Sequence, residues 1–178
     1  MSKDNEKVLF SAKTRYTYEE YLKMNKFHFY RKNVVYISFL IAFIIILGFM
    51  GVANIFLGGI VEGVICLALF VYFILFIILM PRISTRSIYK SDKLLNDENV
   101  ENSFKFYDNY FVITNQNSTS KIDYSKIYRV YETKTNFYFY LNKRLVYIIK
   151  KEDFKNCNLQ DFRWLLQRKY GKYYIIKM

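Results

Sequence analysis

From Val34 to Met80 the chain is apolar almost without a break: this stretch holds one acid, Glu62, and no Lys or Arg. A bilayer core about 30 Å thick takes about 20 helical residues at 1.5 Å each. The run is long enough for two spans, which the pattern places at about 34–53 and 59–80. Asn54 to Gly59 supplies the turn between them, with an Asn and a Gly pair. Pro81, the only proline, follows the second span and marks a natural place for a bend.

The polar parts show two other periods. Val8, Phe10, Ala12, Thr14 and Tyr16 alternate, which predicts a strand over 8–16. Thr17 and Glu20 have the spacing of a capping box, opening a helix through Tyr21, Leu22, Met24 and Phe27 that runs into the first span. Beyond Pro81, residues 84–100 are polar with Ile88, Leu94 and Leu95 at helical spacing, a connector that is helical at least in part. From Glu101 the period becomes two. A β-hairpin is predicted over 103–114 about Asp108-Asn109, then strands at 121–124, 127–132, 136–141 and 145–149. Gln116 to Ser120 and Asn142 to Arg144 read as connecting loops. After Glu152, Leu159, Phe162 and Leu165 or Leu166 recur at helical spacing.

The organisation that follows is an N-terminal segment (1–33) with a strand and a juxtamembrane helix, a transmembrane hairpin (34–80), a connector (81–98) and a β-domain (99–178). The fold class is an α+β membrane protein: a two-helix hairpin plus a small antiparallel β-domain capped by its C-terminal helix. About six strands and one closing helix make a pleckstrin-homology-like plan, an analogy of topology that fixes no function.

Charge orients the hairpin. All 27 basic residues lie outside the apolar run, within a net charge of +12. Lys23, Lys26, Arg31 and Lys32 precede the first span, Arg82, Arg86, Lys90 and Lys93 follow the second, and the turn has no basic residue. The positive-inside rule places both flanks and both termini in the cytoplasm and the turn outside. Arg31, Lys32, Arg82, Arg86, Lys90 and Lys93 are then the residues expected at the membrane surface, within reach of anionic headgroups.

Small residues let membrane helices approach closely. Gly48 and Gly51 in the first span and Gly59 and Gly63 in the second are therefore expected at a helix-packing seam, either within the hairpin or between two copies in a homodimer. Glu62, between the last two, is near enough to the outer boundary to reach water. Cys66 lies in the apolar run and Cys157 in the polar tail, so no disulfide framework is implied. His28 is the only histidine, which argues against a zinc site.

Catalytic signatures are missing. The chain has no Walker loop, no G-x-G-x-x-G, no H-E-x-x-H and no G-x-S-x-G, and five of its six glycines lie in or between the spans. Asp108, Asp123 and Asp161 fall at a turn, a loop and a helix start. No enzyme activity, cofactor or metal is expected. Tyr128, Tyr131, Tyr138 and Tyr140 stand among Arg129, Lys134, Lys143 and Arg144, a mixture also found where bases stack on rings. A tyrosine-rich sheet with a solvated cationic face explains it better, and no nucleic-acid partner is expected.

Phe104 to Ile113, Ile122 to Thr133, Tyr138 to Leu141 and Val146 to Phe154 resemble the YcxB-like family of bacterial membrane proteins. Tyr124 and Ile149 depart from the Trp and Pro common at those positions. The resemblance implies an N-terminal cytoplasmic segment, two spans and a C-terminal domain ending in a helix. It carries no established activity and no active site. The expected function is a non-catalytic integral membrane protein whose β-domain meets the lipid surface or a protein partner. The alternative expectation is an immunity protein that shields the membrane from a toxin or bacteriocin.

Overall fold

The structure, a computed structural model, describes residues 7–95, 101–115, 118–142, 145–155 and 158–177, the side chains of Lys32 and of residues 92–95 excepted. Cys157, Lys143, Arg144, Gln116 and the Lys93 side chain, all singled out above, lie outside what is described. The chain forms two compact units, Met1–Glu20 with Lys93–Met178, and Tyr21–Asp92.

The first is a β unit. Strands β1 (Phe10–Arg15), β2 (Glu101–Phe106), β3 (Tyr110–Thr114) and β4 (Thr119–Asp123) form an antiparallel sheet in that order. β5 (Arg129–Glu132), β6 (Asn136–Tyr140), β7 (Val146–Lys150) and β8 (Tyr174–Ile176) form a second sheet, ordered β7-β6-β5-β8. Its first three strands pair antiparallel, and β8 joins β5 in parallel. Helix α4 (Leu159–Tyr170) lies between β7 and β8 in the chain. Asn158 caps it, accepting a hydrogen bond from the Gln160 N–H at 2.9 Å.

β1 and β2 are neighbours, with Phe10 opposite Phe106 and Arg15 opposite Glu101. Everything from Tyr16 to Val100 is thus inserted between two paired strands. The β unit begins before the helical unit and resumes after it, so β1 belongs with residues 101–177.

Period-two alternation turns Phe104, Phe106, Phe111, Ile113 and Ile122 inward from the first sheet, and Val130, Phe137, Phe139 and Ile149 from the second. Phe162 of α4 completes the core, its ring 4.8 Å from that of Phe106 and 5.2 Å from those of Phe10 and Phe137. Rings at these spacings gain beyond their buried area.

The helical unit contains most of α1 (Tyr18–Lys26), a π-helical turn (Phe27–Lys32), α2 (Val34–Phe56) and most of α3 (Ile60–Leu95). Asn33 has left the helical region, with φ −108° and ψ 41°, so the helix before it does not run unbroken into α2, as the sequence pattern predicts it would. α2 and α3 are long and apolar enough to cross a membrane. Their contacts pair Phe43 with Phe73, Gly48 with Phe70, Gly51 with Leu67 and Ile55 with Gly63, the order of an antiparallel hairpin. The turn passes through Gly58 at φ 87°, a conformation open to glycine at no steric cost.

α3 continues through Pro81 where the sequence suggests a bend. Proline removes the N–H that would serve the carbonyl of residue 77. The Tyr30 hydroxyl donates to that carbonyl instead, at 2.8 Å. One turn on, buried Thr85 donates to the Pro81 carbonyl at 2.6 Å and accepts from the Asn25 side chain at 2.9 Å. The polar groups of the interrupted turn are met by neighbours, and the helix need not break.

Candidate functional surfaces

Arg82, Arg86 and Lys90 are exposed at four-residue intervals on α3, so they form one stripe, away from buried Pro81 and Thr85. Lys93 follows on the same helix. Arg31 is exposed on the π-helical turn, with Lys32 next to it in the chain. The structure therefore groups three of the six expected membrane-surface residues on one helix face.

The glycines lie where the two long helices meet. A Cβ on Gly51 would come within 2.8 Å of the Leu67 side chain, and one on Gly48 within 3.0 Å of the Phe70 ring. On Gly63 it would reach 2.5 Å from Ile55 Cγ1 and 2.9 Å from the Gly51 carbonyl oxygen. Gly59 differs: the nearest atoms to a Cβ there belong to the Glu62 carboxylate and to Asn54, at the turn. Glu62 itself is exposed in the first turn of α3.

Glu132, wholly buried, is a centre that sequence reasoning missed. Its Oε1 accepts from Lys151 Nζ at 2.5 Å and from Arg163 Nε at 2.9 Å and Nη2 at 2.7 Å. Its Oε2 accepts from the Tyr174 hydroxyl. Burial pushes this carboxyl up, and the hydrogen bonds from Arg163, Lys151 and Tyr174 outweigh it, leaving the carboxyl below its ordinary range. Burial, seconded by the same carboxylate, raises the Tyr174 hydroxyl. Both oxygens are taken by donors from β8, α4 and the turn after β7. The arrangement can tie these segments to β5, and it presents no oxygen to a substrate. The available signal was an acid at an inward position, two residues after core Val130.

A second polar contact joins the two ends of the unit. Asn136 Nδ2 donates to Glu20 Oε2 at 2.6 Å. Thr17 does cap α1, its Oγ1 accepting from the Glu20 N–H at 3.4 Å, but the Glu20 carboxylate bonds Asn136 across 116 residues of chain. Next to it Tyr138 is pushed up to about 12, chiefly by burial. Tyr131, Tyr138 and Tyr140 are all buried, so their ring faces are not open to stacking bases. Tyr128 alone of that set is exposed.

The surface of α4 is different in kind. Phe162, Leu165, Leu166 and Tyr170 face the core, while Trp164, the chain's only tryptophan, is 70% exposed. Asp161 and Arg168 flank it on the same face, with exposed Val8 and Leu9 nearby, just upstream of β1. These residues line an open groove of about 670 Å³. Arg168 also bonds Asp108 of the β2–β3 turn at 2.7 Å. That turn and Leu9, whose N–H donates to the Phe106 carbonyl at 2.8 Å, lie at the Phe10 end of β1.

Residues 106–166, from the end of β2 into α4, match the family model described as YcxB-like protein, whose function is not established. No curated protein matches the chain.

Proposed function

We propose that this protein is a membrane-spanning hairpin carrying a non-catalytic β-domain on the cytoplasmic face, where it contacts anionic headgroups or docks a protein partner. The pairing of β1 with β2 carries the reading. Strands that share backbone hydrogen bonds must share a compartment, because an open sheet edge cannot be left in lipid. The chain between Arg15 and Glu101 therefore crosses the bilayer an even number of times, and among the described residues α2 and α3 are the two segments long and apolar enough to do so. Their outward side chains support it: Phe39, Phe49 and Phe56 are each more than 70% exposed, a surface suited to lipid and unsuited to water.

The basic flanks favour the cytoplasm for both termini, and the stripe of Arg82, Arg86 and Lys90 suits an anionic leaflet. Two four-stranded sheets, with α4 set before the last strand, support the pleckstrin-homology-like reading of the β unit. The non-catalytic reading rests on Glu132, whose carboxylate is saturated from within the fold. Reporter fusions test the whole scheme. Fusions at Ser2 and Met178 should both report the cytoplasm and one after Asn54 the outside; opposite signals from the two termini would overturn it.

A further inference from the structure

We propose that the exposed face of α4 is a homodimer contact, in which Trp164 packs against a second copy of the same helix about a two-fold axis. A tryptophan 70% exposed on a rigid helix is a residue type that dominates binding energy when an interface covers it. It stands beside an open groove rather than alone, with the exposed side chains of Val8 and Leu9 forming an apolar shelf.

Charge selects the occupant. Along α4 the exposed face reads Asp161, Trp164, Arg168: an acid three residues before the ring and a base four residues after it. Two such helices packed antiparallel, with the two-fold axis beside Trp164, bring Asp161 of each copy level with Arg168 of the other. A face with acid and base placed symmetrically about its anchor is complementary to itself, the condition for an isologous contact. Asp161 has no ion pair in its own chain among the described residues. Arg168 keeps its side chain 64% exposed while it bonds Asp108, so it has donors left for a second acid. Trp164 of one copy then lies on the Val8–Leu9 shelf of the other.

The membrane supplies the rest, on the reading above that the hairpin is embedded. Copies confined to one bilayer meet at a high effective concentration. The contact therefore need not reach the roughly 1,600 Å² of a standard interface between free proteins.

The full chain in nanodiscs and in detergent tests this. Light scattering should find dimers, and emission from Trp164 should shift to shorter wavelength as the ratio of protein to lipid rises. Trp164→Ala, at an exposed position, should leave circular dichroism unchanged and abolish the dimer. Asp161→Arg should weaken it about tenfold or more, since it sets two cations together. Adding Arg168→Asp should restore it, a rescue that the contact with Asp108 inside one chain cannot produce. A wild type that stays monomeric at every ratio overturns the proposal. So does a dimer indifferent to Trp164→Ala and Asp161→Arg, as a seam through the hairpin glycines would be. Reporter topology is read independently, so failure of the dimer and failure of the hairpin are distinguishable.

Discussion

Tyr30 donates its hydroxyl hydrogen to the carbonyl oxygen of Ile77, the oxygen that Pro81 leaves without a helical donor. The bond ties the π-helical turn before α2 to the middle of α3. It also explains how α3 carries a proline in its interior without stopping there.

Tyr30→Phe should therefore destabilise the full chain in detergent by about 1 kcal/mol, the net worth of a partly buried hydrogen bond. Pro81→Ala restores an N–H to that carbonyl, so Tyr30→Phe should cost much less in that background. Unfolding of the four proteins of this double-mutant cycle measures the coupling. Equal costs in both backgrounds would show that the hydroxyl does not stand in for the missing N–H.

Glu132 is the position where one substitution should do most harm to the β unit. Glu132→Gln leaves Lys151 and Arg163 facing a neutral group in a buried site, at a cost of about 3–5 kcal/mol. Glu152→Ala, which breaks only the exposed end of a contact with Lys150, should cost about 1 kcal/mol or less. The pH dependence has a definite sign. The folded-state carboxyl titrates below its ordinary value, so its contribution is complete above the unfolded value of about 4.3 and is lost as pH falls through the folded value. Acid unfolding followed by circular dichroism should show a step in the wild type that Glu132→Gln lacks.

The apolar run from Val34 to Met80 was legible because two long apolar helices take up nearly every residue in it. Alternation at Val8–Tyr16 and Ser103–Thr114 was legible because one face of each strand is buried. What sequence could not show was partnership. Glu20 has the spacing of a capping-box acid and spends its carboxylate on Asn136, far along the chain. Glu132 looks like any charged residue at the end of a strand until Lys151, Arg163 and Tyr174 converge on it. β8 was missed because three residues are too few for a period, and its parallel pairing with β5 is set by where α4 ends. Trp164 falls opposite the stripe of Leu159, Phe162 and Leu166, so its outward position follows from the helical period, while what would cover it does not.

β1 pairs with β2 across the whole inserted segment and contributes Ala12 to the core. Residues 101–177 alone should therefore be poorly folded, with one side of β2 unpaired. Joining residues 7–20 to them through a flexible linker should restore a cooperative β unit, since loop-closure cost grows slowly with length. Urea unfolding of the two fragments checks this. Equal stability would mean that β1 is dispensable.

The basic stripe gives the last prediction. A Lys or Arg beside an anionic leaflet gains about 1 kcal/mol, screened over about 8 Å at physiological salt. Arg82, Arg86 and Lys90 share one exposed face of α3 directly after the apolar run, so their gains should add. The full chain should unfold at higher temperature in nanodiscs of anionic lipid than in neutral ones, and added salt should shrink the difference. Replacing all three with Gln should remove most of it without changing stability in neutral nanodiscs. If the triple variant keeps the full preference for anionic lipid, the attraction comes from elsewhere in the chain and the stripe serves only to orient the hairpin.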